Sequence, residues 1–171
     1  MPQSDAESTT MIEIMNIVTK TALLKRETAS LDYAELSGAS LAHADLADVS
    51  LVGADMHRAN LTGAKLERAD LSYADLTGAQ LCQACLIETN LDTADLTLAQ
   101  LGGADLTGAN LRGTNLYGAD LRGATLDGAR LLGADLRECR LRGAQLKNAL
   151  YDRETRWPDG LNPAKAGAIG I

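Results

Sequence analysis

Two short stretches carry the residue types that do chemistry. In "ADMHRAN" (Ala54–Asn60), Asp55 stands two residues before His57. With a hydroxyl close by, that carboxylate and imidazole could activate a nucleophile. In "LCQACL" (Leu81–Leu86), Cys82 and Cys85 form a C-x-x-C pair, the spacing of a redox dithiol or of half a zinc site. A structural zinc takes four ligands, and the sequence has no second pair: the other cysteine is Cys139, and the histidines are His43 and His57. No βαβ pattern surrounds the dithiol, as a thioredoxin-like motif requires. The expectation is a surface cysteine pair, an inert Cys139, no metal and no cofactor.

What positions these residues is a beat of five. From Leu31 to Leu146 every fifth residue is Leu, with Met56 the one exception among 24 positions. With the Leu position called i, Ala fills i−2 between 29 and 149 except at Val49, Thr89, Thr114 and Cys139. Gly sits at i+2 in twelve repeats, and Asp or Asn is commonest at i−1. A helix turns about 500° in five residues, so successive leucines would step about 140° around it and form no stripe. In an extended chain, i−2 and i share one face and i−1 and i+1 the other. Because five is odd, the chain must bend once per pentad to bring the next Leu back inside. Gly at i+2 supplies the bend, since it tolerates positive φ. A short extended step followed by a turn of constant sense winds into a coil around an apolar axis, and coils stack as parallel β about 4.8 Å apart.

The number of sides per coil does not follow from this argument. The pattern A-[DN]-L-x-x, as in "ADLTGANLRG" (Ala104–Gly113), resembles the pentapeptide-repeat family over about residues 29–150. The resemblance implies an all-β solenoid: a right-handed, quadrilateral parallel β-helix with about twenty residues per coil. On such coils Leu31, Leu51, Leu71, Leu91, Leu111 and Leu131 stack as one column of the core ladder.

Each end of a coil stack exposes unpaired backbone, so caps are expected. Residues 1–28 are read as a disordered start followed by a helical cap. Thr10 and Glu13 form a possible capping box, and Met11, Ile14, Met15, Val18 and Ala22 follow at helical spacing. An amphipathic helix over 9–25, covering the first coil with Ile14 and Val18, is the expectation. Residues 151–171, "YDRETRWPDGLNPAKAGAIGI", break the beat. This tail resembles the end of cyanobacterial pentapeptide-repeat proteins. Trp157 is expected to cover the last Leu layer, and Pro158 and Pro163 to prevent regular structure around them.

Folded at twenty residues per coil, one outward column reads Glu35, Asp55, Asp75, Asp95, Asn115, Asp135. It could serve as an anionic ladder or a weak Ca²⁺ site, or each side chain could bond its own turn amide; the local reading is preferred. Thr77 stacks above His57, but a flat exposed face offers no cleft or oxyanion donors, so no catalytic residue is expected. Charge is uneven along the rod: residues 29–100 hold 11 acidic and 3 basic side chains, residues 101–150 hold 5 and 7. Arg122, Arg140 and Arg142 fall together, a candidate docking patch.

The net charge of −7 argues against direct nucleic-acid binding. No apolar run is long enough for a membrane span, no basic leader is visible, and three cysteines make no disulfide framework, so a cytoplasmic protein is expected. The reading is a non-catalytic interaction or regulatory scaffold with an unidentified protein partner, monomeric or dimeric end to end. Candidate contacts are Glu35, Asp55, Asp75 and Asp95 on one side and Arg122, Arg140 and Arg142 on another. The resemblance implies an alternative, since some bacterial members mimic DNA and bind DNA gyrase. This sequence departs from those members in having no Phe, a basic second half and a Pro-broken tail.

Overall fold

The computed structural model describes residues 11–17, 19–20, 22–27 and 30–171. Each i−1 residue pairs in parallel with the residue 20 further on: Glu35 with Asp55, Ser40 with Asn60, Asp45 with Lys65, Ser50 with Asp70, and so up the chain. One coil therefore takes 20 residues and has four paired sides, named here by the first residue of each ladder: Glu35, Ser40, Asp45 and Ser50. The Glu35 ladder runs through Asp55, Asp75, Asp95, Asn115 and Asp135 to Arg156. At the parallel-sheet spacing that is a β-helix roughly 29 Å long.

The fate of the backbone amides explains the pentad. In Ala54–Arg58, the Ala54 N–H closes a turn on the Leu51 carbonyl (3.1 Å) and the Asp55 N–H donates to Ala34 in the coil before (3.0 Å). The Met56 and Arg58 N–H groups donate to Asp75 and Thr77 in the coil after, at 2.8 and 3.0 Å. Only the His57 amide is left, and Asp55 Oδ1 accepts it at 3.0 Å. Backbone pairing thus satisfies four amides in five, and the i−1 carboxylate or amide satisfies the fifth. This is the physical reason for Asp and Asn at i−1, repeated by Asp75 with Thr77, Asp95 with Thr97, and Asn115 with Tyr117.

Every i+2 residue from Tyr33 to Asn148 has φ between 54° and 79°, whether or not it is glycine. Position i+2 is thus the third residue of a type II turn. Gly123 isolates the backbone cost, because an added Cβ would meet nothing within 4 Å. Gly123→Ala is expected to lose about 1 kcal/mol from left-handed strain alone. Glu88→Gly, relieving φ of 56°, is expected to move the thermal midpoint up instead of down. Paired melts of the two variants check the sign.

Inside, Leu31, Leu51, Leu71, Leu91, Leu111 and Leu131 are all 1% exposed or less, each burial contributing about 1.5–3 kcal/mol. The three departures from Ala at i−2 that carry a donor follow a rule of their own. Thr89 Oγ1 donates to the Leu66 carbonyl (2.6 Å), Thr114 Oγ1 to Leu91 (2.9 Å) and Cys139 Sγ to Leu116 (2.9 Å), each 23 residues back. A buried donor at i−2 therefore finds its acceptor at the corner of the coil before.

The N-terminal helix expected over 9–25 is not what forms. Met11–Met15 (β1) and Ala22–Glu27 (β2) are antiparallel strands, and the connection between them turns on Asn16, whose carbonyl accepts the Lys20 N–H (2.9 Å) and whose Oδ1 accepts the Thr19 N–H (2.8 Å). Val18 lies outside the described residues, as do residues 1–10. The end of β1 continues against the Asp45 side: Met15 O accepts the Asp45 N–H and Ile17 N–H donates to His43 O, both at 2.8 Å. A helix could not satisfy these lateral groups; a strand can, and "MIEIM" alternates two β-branched residues. Ile14 is buried at 1% exposure within the core cluster.

At the other end the beat slips by one residue. Arg156 pairs 21 residues after Asp135, and Asp152 Oδ1 organises the extra residue by accepting from the amides of Gly133, Glu154 and Thr155 at 3.0 Å each. Leu150–Tyr151 (β3) pairs in parallel with Ile169–Gly170 (β4), so the tail past both prolines returns to extend the Ser50 ladder. Trp157 is half-buried against the core and meets Tyr151 edge to face, with centroids 5.6 Å apart.

Candidate interaction surfaces

The Glu35 face presents the acidic column. Glu35, Asp55 and Asp75 are exposed and Asp95 is half-buried. Oδ1 of Asp55, Asp75 and Asp95 each accepts the amide N–H two residues on, at 3.0, 2.8 and 2.8 Å. Burial pushes the Asp75 carboxyl up, but the Thr77 hydroxyl and amide with the nearby His57 bring it below its usual value. Asp55, Asp75 and Asp95 are therefore anchored on their own turns. Among the described residues no group of three or more His, Cys, Asp or Glu is placed to hold a metal ion.

In the upper coils arginine pairs with a carboxylate on each of two adjacent sides, Asp120 on the Ser40 ladder and Asp135 on the Glu35 ladder. Arg122 chelates Asp120 through Nε and Nη2, at 2.8 and 2.6 Å, and Arg140 Nη1 stands 3.9 Å from the same carboxylate. Arg137 binds Asp135 in the same way, at 2.9 and 2.6 Å, with Arg156 3.7 Å away. Arg142 is exposed and borders an open hollow of about 350 Å³ between the last coil and Pro158–Leu161. The bonded guanidinium is the leading cause that holds each of Asp120 and Asp135 below the usual carboxylate value, against a smaller upward push from burial.

This fixes the sign of an acid effect. The unfolded chain has carboxylate pKa values of about 3.9, above those of Asp120 and Asp135 in the folded state, so it takes up protons first as pH falls. Their stabilisation is complete above that value and is lost as pH drops through the folded values. Thermal melts are expected to hold level from pH 7 to about 5 and to fall below about 4. The double variant Arg122→Ala/Arg137→Ala should show a smaller drop across the same acid window.

The chemistry-bearing stretches do not assemble into a centre. His57 is half-buried; its amide N–H donates to Asp55 Oδ1 and its carbonyl accepts the Ser37 hydroxyl (3.3 Å). Cys82 and Cys85 are free and half-buried. Burial, with a contribution from the Glu67 carboxylate, raises the Cys85 thiol above its usual value, the opposite of an activated thiolate. Burial pushes Cys139 up to about 12.

Four exposed large apolar residues of the coils are not singled out by the sequence pattern: Tyr33, Tyr73, Leu98 and Tyr117. The available signal was at i+2, where Tyr33, Tyr73 and Leu98 occupy the glycine position. Among the described residues no helix is long and apolar enough to cross a membrane.

The model of the family described as pentapeptide repeats matches in eight copies, over residues 29–72, 74–113 and 114–150. No curated protein matches. Among solved structures, Rfr23, a pentapeptide repeat protein from the cyanobacterium Cyanothece 51142, is 40% identical, with 54% of this chain and 63% of that chain covered and a TM-score of 0.54. HetL, a pentapeptide repeat protein involved in heterocyst differentiation regulation from the cyanobacterium Nostoc sp. strain PCC 7120, is 35% identical, with 72% and 63% covered and a TM-score of 0.54. A trypsin-treated form of QnrB1, a plasmid-mediated fluoroquinolone resistance protein, is 20% identical, with 63% and 65% covered and a TM-score of 0.46. The matched region spans less than two thirds of the length of Rfr23 and of HetL.

Proposed function

The chain belongs to the pentapeptide-repeat family, and we propose that it is a non-catalytic cytoplasmic scaffold that holds a protein partner against its outer faces. The observation that carries this reading is the filled axis. From Leu31 to Leu136 the axial leucines are 0–3% exposed, which leaves variable chemistry to the outer sides of the coils. Such surfaces suit recognition of another macromolecule rather than enclosure of a substrate. HetL, similar in sequence and fold, is involved in regulating heterocyst differentiation, which supports a regulatory role. Glu35, Asp55, Asp75 and Asp95, and separately Arg122, Arg140 and Arg142, are the side chains proposed to meet the partner.

Affinity capture from a native lysate tests the reading. A protein is expected to be retained by the parent and lost when either set of charges is reversed. Recovery of a small molecule alone, or turnover of one, overturns it. A DNA mimic bound by DNA gyrase requires a continuous anionic face, and Arg137 and Arg156 interrupt it at its last two rungs. Inhibition of gyrase supercoiling by micromolar protein would nevertheless replace the scaffold reading with that one.

A further inference from the structure

Among the described residues of the coils, every exposed large hydrophobic side chain borders the Glu35 face. Tyr33 and Tyr73, 76% and 64% exposed, occupy the corner just before it. Tyr117, 43% exposed, occupies the corner just after it, beside Leu98 at 61%, whose N–H donates to the Tyr117 carbonyl (3.0 Å). The two corners that do not touch this face carry none.

The backbone does not favour this placement. Tyr33, Tyr73 and Leu98 adopt φ of 55°, 59° and 58°, the left-handed region where bulky side chains are strained, and most of their surface stays in water. The Tyr33 ring lies across the corner at Gly53, where an added Cβ would meet it at 2.6 Å. Large apolar side chains left in water and confined to the two edges of one face mark a binding edge. Between these edges stand Glu35, Asp55, Asp75 and Asp95 on successive rungs. Three of the four are already fixed by their turn amides, so little side-chain freedom is lost when a cation arrives.

We propose that the Glu35 face docks a cationic α-helix of a partner protein, laid along the rod with one Arg or Lys per helical turn. The proposal rests on the protein-binding reading above and adds the face and the chemistry of the partner. The spacing selects a helix. One helical turn rises about 5.4 Å and one coil about 4.8 Å, so four cations drift only about 1.8 Å against four carboxylates. Same-face residues of a strand, about 6.8 Å apart, would drift about 6 Å over the same span. The tyrosines on either edge are placed to receive guanidinium groups, as Tyr117 already receives Arg137 at 5.8 Å from its ring centre. A nucleic acid or an anionic membrane is repelled by the same charges.

The test uses a fluorescein-labelled helical peptide with one Arg per turn over four turns, and an isomer with the arginines scattered around the helix. In low salt, fluorescence anisotropy should show the striped peptide binding the full chain about tenfold more tightly than the scattered one. Asp55→Asn/Asp75→Asn/Asp95→Asn keeps every turn-amide acceptor and removes three charges; it should weaken the striped peptide at least about tenfold. Tyr33→Gly/Tyr73→Gly relieves strain, so it should fold at least as well as the parent while weakening binding about fivefold. Equal affinity for the two peptides, or unchanged affinity in either variant, overturns the proposal. The lysate capture separates the two levels. A partner lost with Arg122, Arg140 and Arg142 reversed but retained by both of these variants would leave the scaffold reading standing and this assignment refuted. A lysate with no retained protein would remove both.

Discussion

Leu101→Asp is expected to abolish the cooperative fold, while Gln100→Asp, the same charge one residue earlier, should change stability by less than about 0.5 kcal/mol. Leu101 is fully buried on the coil axis. Its neighbours there are leucine and alanine, and the adjacent backbone carbonyls and amides are committed to the ladders. A carboxylate at that point has no partner and no water, and breaking even a paired buried charge typically costs about 3–5 kcal/mol. A solenoid has no second core to absorb the loss, because each coil contacts only its neighbours. Gln100 instead occupies an exposed i−1 position, where Asp is the commonest residue and can accept the spare amide of Gly102. Circular dichroism melts of the two variants separate them, and matching curves would refute the inward placement of the leucine ladder.

The legibility of the sequence follows the range of the interactions. The leucine period was readable because each pentad carries its own copy of the rule. The Asp and Asn preference at i−1 was readable as turn chemistry because donor and acceptor lie two residues apart, as Asp95 and Thr97 do. The bend was readable from glycine in half the repeats, but the sequence alone did not show that Arg58, Glu88 or Leu98 would take the same positive φ. Lateral bonds on both sides of the corner impose it there. The N-terminal segment was misread because Met11, Ile14, Met15 and Val18 fit a helical stripe, while the deciding factor lay elsewhere in the chain. That factor is the unpaired edge at His43 and Asp45, which only an extended segment can join. Tyr33 and Tyr73 were passed over for a related reason. Their corner and the Glu35 column become one surface only when positions 20 residues apart are stacked.

The same stacking sets the second large effect. Ala104→Leu is expected to destabilise the protein by about 3 kcal/mol, the upper end of the range for overpacking, whereas Ala104→Thr should stay within about 1 kcal/mol of the parent. Ala84, Ala104 and Ala124 are 0–1% exposed and follow one another up the Asp45 side, about 4.8 Å apart. Three extra carbons at position 104 would have to displace a neighbouring alanine or a leucine of the same layer, and either movement breaks ladder bonds above and below, such as Asp105 N–H to Ala84 O and Thr125 N–H to Ala104 O (3.0 and 2.9 Å). Threonine is smaller, and its hydroxyl has an acceptor waiting. By the 23-residue rule obeyed by Thr89 and Thr114, a hydroxyl at 104 would reach the Leu81 carbonyl, which already serves the Ala84 amide at 3.1 Å. Volume alone ranks the two substitutions in the same order but assigns threonine a cost for burying a polar group. Urea titration distinguishes the accounts, since Ala104→Val, equal in shape to threonine and without the hydroxyl, should then be no more stable than Ala104→Thr. If valine proves clearly the better substitute, the carbonyl of the preceding corner is not a general acceptor, and the threonines at 89 and 114 must be tolerated for another reason.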